Sequence, residues 1–166
     1  MGEKEARTAI VGVGNVLLKD DGIGVHLVRE LSNRMAPDNE VEIIDGGTSP
    51  DVFPSLKGVE HLIVVDAVQA GGEPGSIYRF GPGDVMNARS GLCSAHHIGL
   101  IEGLNMMRLL GMEPKSTVII GVEPGDITLG LELSPDLQKV LPRLAEVVLQ
   151  ETASGKRNTK SEQRME

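Results

Sequence analysis

No tryptophan occurs in the 166 residues, and Phe53, Tyr78 and Phe80 are the only aromatic side chains. Modules that hold nucleic acid by base stacking need aromatic platforms, so the composition excludes that class. It leaves a core of Val, Ile, Leu, Ala and Met, as in β-branched strands flanked by helices. Cys93 is the single cysteine, which excludes an internal disulfide and accords with a reducing cytoplasm. Basic charge is scarce as well, with 16 Lys and Arg against 24 Asp and Glu and a net charge of -8. Four of the basic residues, Lys156, Arg157, Lys160 and Arg164, fall between Ser154 and Glu166. The rest of the chain is therefore more acidic than the whole, the wrong sign for a phosphate backbone. The apolar run Leu62 to Val65 is strand-sized, far short of the roughly 20 residues a membrane helix requires, and the charged Met1 to Arg7 does not read as a leader peptide. A cytoplasmic protein with no nucleic-acid partner and no membrane insertion is expected.

A chain of this length fits one core, which buries about 70% of the surface its unfolded state exposes. Thr8 to Val13 is a short β-branched run ending in glycines, and Gly22 to Met35 then places Ile23, Leu27, Val28 and Leu31 on one helical face. Val41 to Ile44 reads as a second strand, Pro50 to Leu56 as a short helix, and His61 to Val65 as a central parallel strand, apolar throughout. Ser76 to Phe80 follows after too few residues for a helical crossover, so it reads as an antiparallel addition, with a loop over Gly81 to Gly91 behind it. Ser94 reads as the N-cap of a helix from Ala95 to Leu110, with Ile98, Ile101, Leu104, Asn105 and Met107 on its inner face. Thr117 to Val122 is a fifth strand, and Ser134-Pro135 opens a last helix to about Gln150, with a kink expected at Pro142. The order predicts a three-layer α/β/α sandwich around a mostly parallel five-stranded sheet with one antiparallel strand. Residues 1–152 form the single domain, and 153–166 read as a disordered polar tail. No internal repeat and no linker before residue 153 is present.

Three stretches carry candidate chemistry: Gly12-Val13-Gly14-Asn15 followed by Asp20-Asp21-Gly22, then Val65-Asp66-Ala67, then Ser94-Ala95-His96-His97. In an open α/β fold such strand-to-loop junctions face one edge of the sheet, where oxygen and nitrogen ligands from distant segments meet around a divalent ion. A dinucleotide reading of the glycines fails because the third glycine is absent, Leu17 stands in the loop, and Asp20 and Asp21 would repel a pyrophosphate. One aspartate before a helix serves as a cap, leaving the other for a different task. Asp66 ends an apolar strand, where an unpaired carboxylate is costly without a metal, a donor or water. His96 and His97 open a helix whose positive dipole end keeps imidazole neutral, the metal-binding form, and being about 100° apart they do not both reach one site. His26 and His61 lack such context and read as surface residues; Cys93 reads as a small loop residue rather than a thiol nucleophile. No H-E-x-x-H zinc motif occurs.

Taken together, the run from Gly12 to Val25, Asp45-Gly46-Gly47-Thr48, the run from His61 to Ala67 and the run from Ser94 to Leu100 resemble the hydrogenase maturation proteases in order, spacing and flanks. The resemblance covers about residues 8 to 150. It implies an aspartyl-type endopeptidase that removes the C-terminal extension of a nickel-iron hydrogenase large-subunit precursor after nickel insertion. It further implies that Asp21, Asp66 and His96 are at once the metal ligands and the catalytic residues, and that Asp45, Gly46, Gly47 and Thr48 bind substrate. The nickel belongs to the substrate and is sensed by the enzyme, no organic cofactor is involved, and the protein meets its precursor partner as a monomer. Some relatives carry Glu where Asp21 stands, one methylene longer. Two carboxylates and an imidazole leave coordination positions for thiolates or water, and either an aspartate acts as base or the ion polarises the carbonyl. The competing readings are a self-contained metal-dependent hydrolase and a non-catalytic nickel-dependent chaperone or binding module.

Overall fold

The computed structural model of the chain describes residues 7–36, 38–86 and 97–163. A five-stranded sheet in the order β2-β1-β3-β5-β4 forms its centre, from β1 (Arg7–Val13), β2 (Val41–Gly47), β3 (Val59–Ala67), β4 (Ile77–Phe80) and β5 (Ser116–Val122). β1 pairs in parallel with β2 and β3, and β3 with β5, while β4 runs antiparallel to β5. The short connection from β3 to β4 explains that reversal, because a parallel return needs a crossover of a dozen or more residues.

Strand alternation divides the core in two. Ile10, Ile63, Val65, Ile120 and Val122 meet α1 (Ile23–Arg34) and α4 (Pro135–Gln163) through Ile23, Leu27, Leu31, Leu137, Leu144 and Val148. Ala9, Val11, Leu62, Val64 and Ile119 meet Phe53, Leu100 and Met107, the last two on α3 (His97–Leu109). Each such side chain, once buried, contributes roughly 1.5–3 kcal/mol of transfer free energy. The aromatic-poor composition thus fills both faces with aliphatic groups, as its residue types demand.

Several elements differ from the sequence-based expectation in detail. On α3 the inward residues are Leu100, Gly103 and Met107, with Ile101 and Leu104 half-buried, whereas Asn105 is exposed and not part of the inner face. Gly103 is required by the ring of Phe53, since a Cβ there would lie 2.3 Å from Cδ2. A short helix, α2 (Pro82–Met86), occupies the start of the segment expected as loop. The segment at 50–55 is a 3-10 helix, opened by Ser49, whose hydroxyl accepts from the Asp51 amide. The last helix, α4, continues through Pro142 to Gln163, into the segment that composition assigns to a polar tail. Packing accounts for part of that extension, because Gly155 lies against the imidazole of His61, at a distance where a Cβ would sit 3.1 Å from Cγ. The expected N-cap Ser94 lies outside the described residues.

The chain leaves β1 toward α1 and β2 on one side, and leaves β3 toward β4, α3 and β5 on the other. The C-terminal ends of β1 and β3 are therefore a topological switch point, the place where open α/β sheets form a crevice.

Candidate functional site at the carboxyl edge of the sheet

β1 ends at Val13, and after Gly14 the chain folds through a 3-10 turn at Lys19–Gly22 before entering α1. Close backbone approach dictates the glycines here. A Cβ on Gly24 would lie 2.1 Å from the carbonyl oxygen of Val65 and 2.6 Å from that of Val13. Gly14, at φ +145°, would bring a Cβ to 2.1 Å from the Asp21 carbonyl. Bare backbone thus lets the first turn of α1 seat directly on β1 and β3, one residue before Asp66. The glycines that invite a nucleotide-loop reading serve helix-to-sheet packing instead.

Asp21 is 7% exposed, and its Oδ2 accepts from the Asn15 amide at 2.9 Å. Asp66 is 2% exposed, with Oδ1 accepting from the Ala67 amide at 2.8 Å. These amide donors help to orient both carboxylates. Alternation puts Asp66 on the same face of β3 as Leu62 and Val64, the face that α3 covers. The turn carrying Asp21 lies against β3. Asp66 near the end of β3 and Asp21 on the turn after β1 are accordingly both buried at the switch point.

Asp45, Gly46 and Gly47 end β2 at the same edge, and the Gly14 amide donates to the Gly47 carbonyl at 2.8 Å. Asp45 Oδ1 accepts from the Gly47 amide at 3.1 Å, and Oδ2 from the guanidinium of Arg29 at 3.1 and 3.2 Å. Gly47, at φ +52°, takes a left-handed turn that a side chain would strain. Thr48 beyond it is exposed. His96 and Cys93 lie outside the described residues; α3 begins at His97. Among the described residues, no three or more His, Cys, Asp or Glu are grouped as a metal site would require.

The two adjacent aspartates have different environments. Asp20 is fully buried, and it does not cap α1, whose N-cap position is Gly22 with no side-chain bond. Its Oδ2 accepts from the amides of Gly125 (2.9 Å) and Asp126 (2.8 Å) and from the Ser134 hydroxyl (2.7 Å), and its Oδ1 from the Ser134 amide (2.7 Å). The capping role expected for one of the pair is thus replaced by a tether to a loop more than a hundred residues away. Lys19 reinforces it: its ammonium meets Asp126 Oδ2 at 2.8 Å. That contact, with the hydroxyl and amide of Thr128, holds the Asp126 carboxyl well below the usual carboxylate range.

Sequence reasoning missed Glu123. It is buried immediately after β5, and its Oε2 accepts from the Ala70 amide (2.8 Å) and the Tyr78 hydroxyl (3.0 Å), bracing the loop that follows Asp66. The signal was available, since an acid directly after an apolar strand is the pattern that singles out Asp66. The two histidines read as surface residues are not: His61 is buried with Nδ1 2.6 Å from Ser116 Oγ, and His26 is half-buried. Burial, and then the nearby Arg29, push the His26 imidazole below its ordinary value, partly offset by Asp20.

A sequence model described as hydrogenase maturation protease matches residues 25–151. The chain is 32% identical over 145 residues to the hydrogenase 2 maturation protease of Escherichia coli strain K12, covering 86% of this chain and 88% of that one. It is 31% identical over 154 residues to a putative hydrogenase maturation protease of Methanocaldococcus jannaschii, covering 89% and 97%. Among solved structures, the hydrogenase maturating endopeptidase HybD from E. coli superposes with a TM-score of 0.79 at 30% identity, over 89% of this chain and 93% of that one.

Proposed function

The chain belongs to the hydrogenase maturation protease family and is a peptidase, and on that premise we propose that it removes the C-terminal extension of a nickel-iron hydrogenase large-subunit precursor once nickel is in place. Asp21, Asp66 and His96 recognise the nickel that the precursor carries. The reading rests chiefly on one observation: two buried carboxylates, Asp66 near the end of β3 and Asp21 on the 3-10 turn that lies against β3, stand at the switch point of the sheet. Oxygen donors oriented by backbone amides suit a borderline divalent ion that keeps thiolate ligands from its own protein. The amide bonds from Asn15 and Ala67 prevent the carboxylates from swinging away, so the ordering cost is met in folding rather than in binding. Asp45 to Thr48, at the adjoining strand end, contacts the polypeptide of the precursor. Recognition of the ion fixes the neighbouring peptide bond in the crevice, where water adds to its carbonyl carbon, the C–N bond breaks and the new amine takes up a proton. An aspartate serving as base or the ion polarising the carbonyl satisfies that scheme equally. The enzyme acts as a cytoplasmic monomer.

The test is a cleavage assay on precursor prepared with and without nickel, read by mass spectrometry. Nickel-loaded precursor is expected to be shortened and nickel-free precursor left intact. Efficient cutting of the nickel-free form would refute metal recognition, and an intact precursor held in stable complex would identify a chaperone instead. Asp66→Asn and His96→Ala should abolish shortening without loss of fold, whereas His26→Ala should process normally.

A further inference from the structure

Apart from Met106, Leu109 and Leu110 at and just past the end of α3, the exposed large apolar side chains among the described residues are Leu17, Ile127, Leu129 and Leu131, at 55%, 45%, 82% and 65%. They are not scattered. Leu18 and Gly130 form a parallel bridge, in which the Gly130 amide donates to the Leu17 carbonyl (2.9 Å) and the Lys19 amide to the Gly130 carbonyl (3.0 Å). Leu17, Leu129 and Leu131 flank that bridged pair, which brings the three together in one exposed ridge.

The ridge is also held firmly. The four bonds to the buried Asp20 carboxylate and the Lys19–Asp126 pair fasten its loop to the turn that bears Asp21. A loop exposing apolar side chains has no reason of its own stability to be pinned so thoroughly; fixing it in register with the crevice is what the pinning achieves. The ridge presents on the order of 400 Å² of apolar surface, the size of the largest patches on monomers and well under the ~800 Å² per partner of a stable dimer. That area fits a transient partner rather than a permanent second copy. Continuity with the crevice identifies which one, since the Leu17 amide donates to Asn15 Oδ1 at 3.0 Å and the Asn15 amide to Asp21 Oδ2 at 2.9 Å.

We propose that the ridge of Leu17, Ile127, Leu129 and Leu131 is a docking surface for an apolar segment of the peptidase's protein substrate, adding affinity at a point separate from the crevice. The inference rests on the function proposed above for the substrate's identity. Its test uses the full chain carrying Leu129→Ser together with Leu131→Ser, exposed positions whose loss leaves the core intact. Initial rates on nickel-loaded precursor should show KM raised about tenfold with kcat within about twofold, and titration of nickel-free precursor should show a matching loss of affinity. Unchanged KM and affinity would overturn the proposal, as would a fall in kcat alone. A parent chain that sediments as a dimer and becomes monomeric on substitution would show the ridge covered by a second copy, and would overturn it too. The two readouts separate the two ideas. Weaker binding by the variant, with no cleavage by the parent, removes the assigned activity and keeps the docking surface; no binding by the parent removes both.

Discussion

Replacing Asp20 probes the tether between the crevice and the ridge, and the structure sets the scale. The carboxylate is fully buried and accepts four hydrogen bonds, three from backbone amides and one from the Ser134 hydroxyl. Hydrogen bonds to a charged group contribute about 1.5–3 kcal/mol each, and a buried donor left unmatched costs about 1–3 kcal/mol. Desolvation of the carboxylate offsets part of that sum, and water entering the gap recovers some donors, so Asp20→Ala is expected to cost about 3–5 kcal/mol. Asp20→Asn keeps the shape. With its carbonyl oxygen at the Oδ2 position it still accepts three of the four bonds, but it sets an NH2 against the Ser134 amide. The expected cost is smaller, about 1–3 kcal/mol. Urea denaturation with an unchanged m-value measures both, and the alanine variant should melt lower by on the order of 10 °C for a chain of this size. Asp21→Asn supplies a contrast, since an amide oxygen still accepts from the Asn15 amide and the loss should be smaller than in Asp20→Ala. The reasoning fails if Asp20→Ala is neutral, or if asparagine proves worse than alanine.

Other predictions follow from single observations. Gly24→Ala, although it gains up to about 1 kcal/mol in helix propensity, should destabilise by several kcal/mol because its Cβ would collide with backbone oxygens of Val13 and Val65; a higher melting temperature in this variant would refute the account of α1 packing. Burial and Arg29 depress the His26 imidazole below 6.5, so the unfolded chain binds the proton more readily and His26 contributes stability that is present above pH 6.5 and lost as pH falls through the folded value. Urea midpoints at pH 7.5 and 5.5 should therefore converge in His26→Gln, relative to the parent, and equal slopes would contradict the assignment. Arg29→Ala breaks an exposed pair with Asp45 and should change stability by no more than about 1 kcal/mol, decreasing with salt.

The layered sheet was readable because each strand is an apolar run closed by glycine or an acid, and each helix keeps a period near four. The antiparallel β4 followed from connection length alone. What the residues did not reveal depends on contacts far apart in the chain. Asn105 sits at helical spacing from Ile101 and Ile98, but Gly103 and Phe53 rotate α3 so that Leu100 and Met107 face inward. His61 reads as surface in isolation and is buried because α4 runs on to place Gly155 over it. Glu123 follows an apolar strand as Asp66 ends one, but its partners, the Ala70 amide and the Tyr78 hydroxyl, lie some fifty residues away and only the fold brings them to it.

Asp20 and Asp21 show most clearly why a motif and its mechanism are different things. In sequence they are equivalent, two acids before a glycine and a helix, and capping physics explains either one. The fold separates them by 3-10 geometry: consecutive residues in such a turn point about a third of a revolution apart, so a pair cannot serve one target. One carboxylate is turned to the loop at 125–134 and engaged by its amides; the other is turned to Asn15 and the end of β1. A carboxylate already engaged by four donors is a poor ligand, because a metal would have to displace them. The two acids thus differ in what they hold: Asp20 fixes the turn against the loop at 125–134 and thereby sets the direction in which the Asp21 carboxylate points.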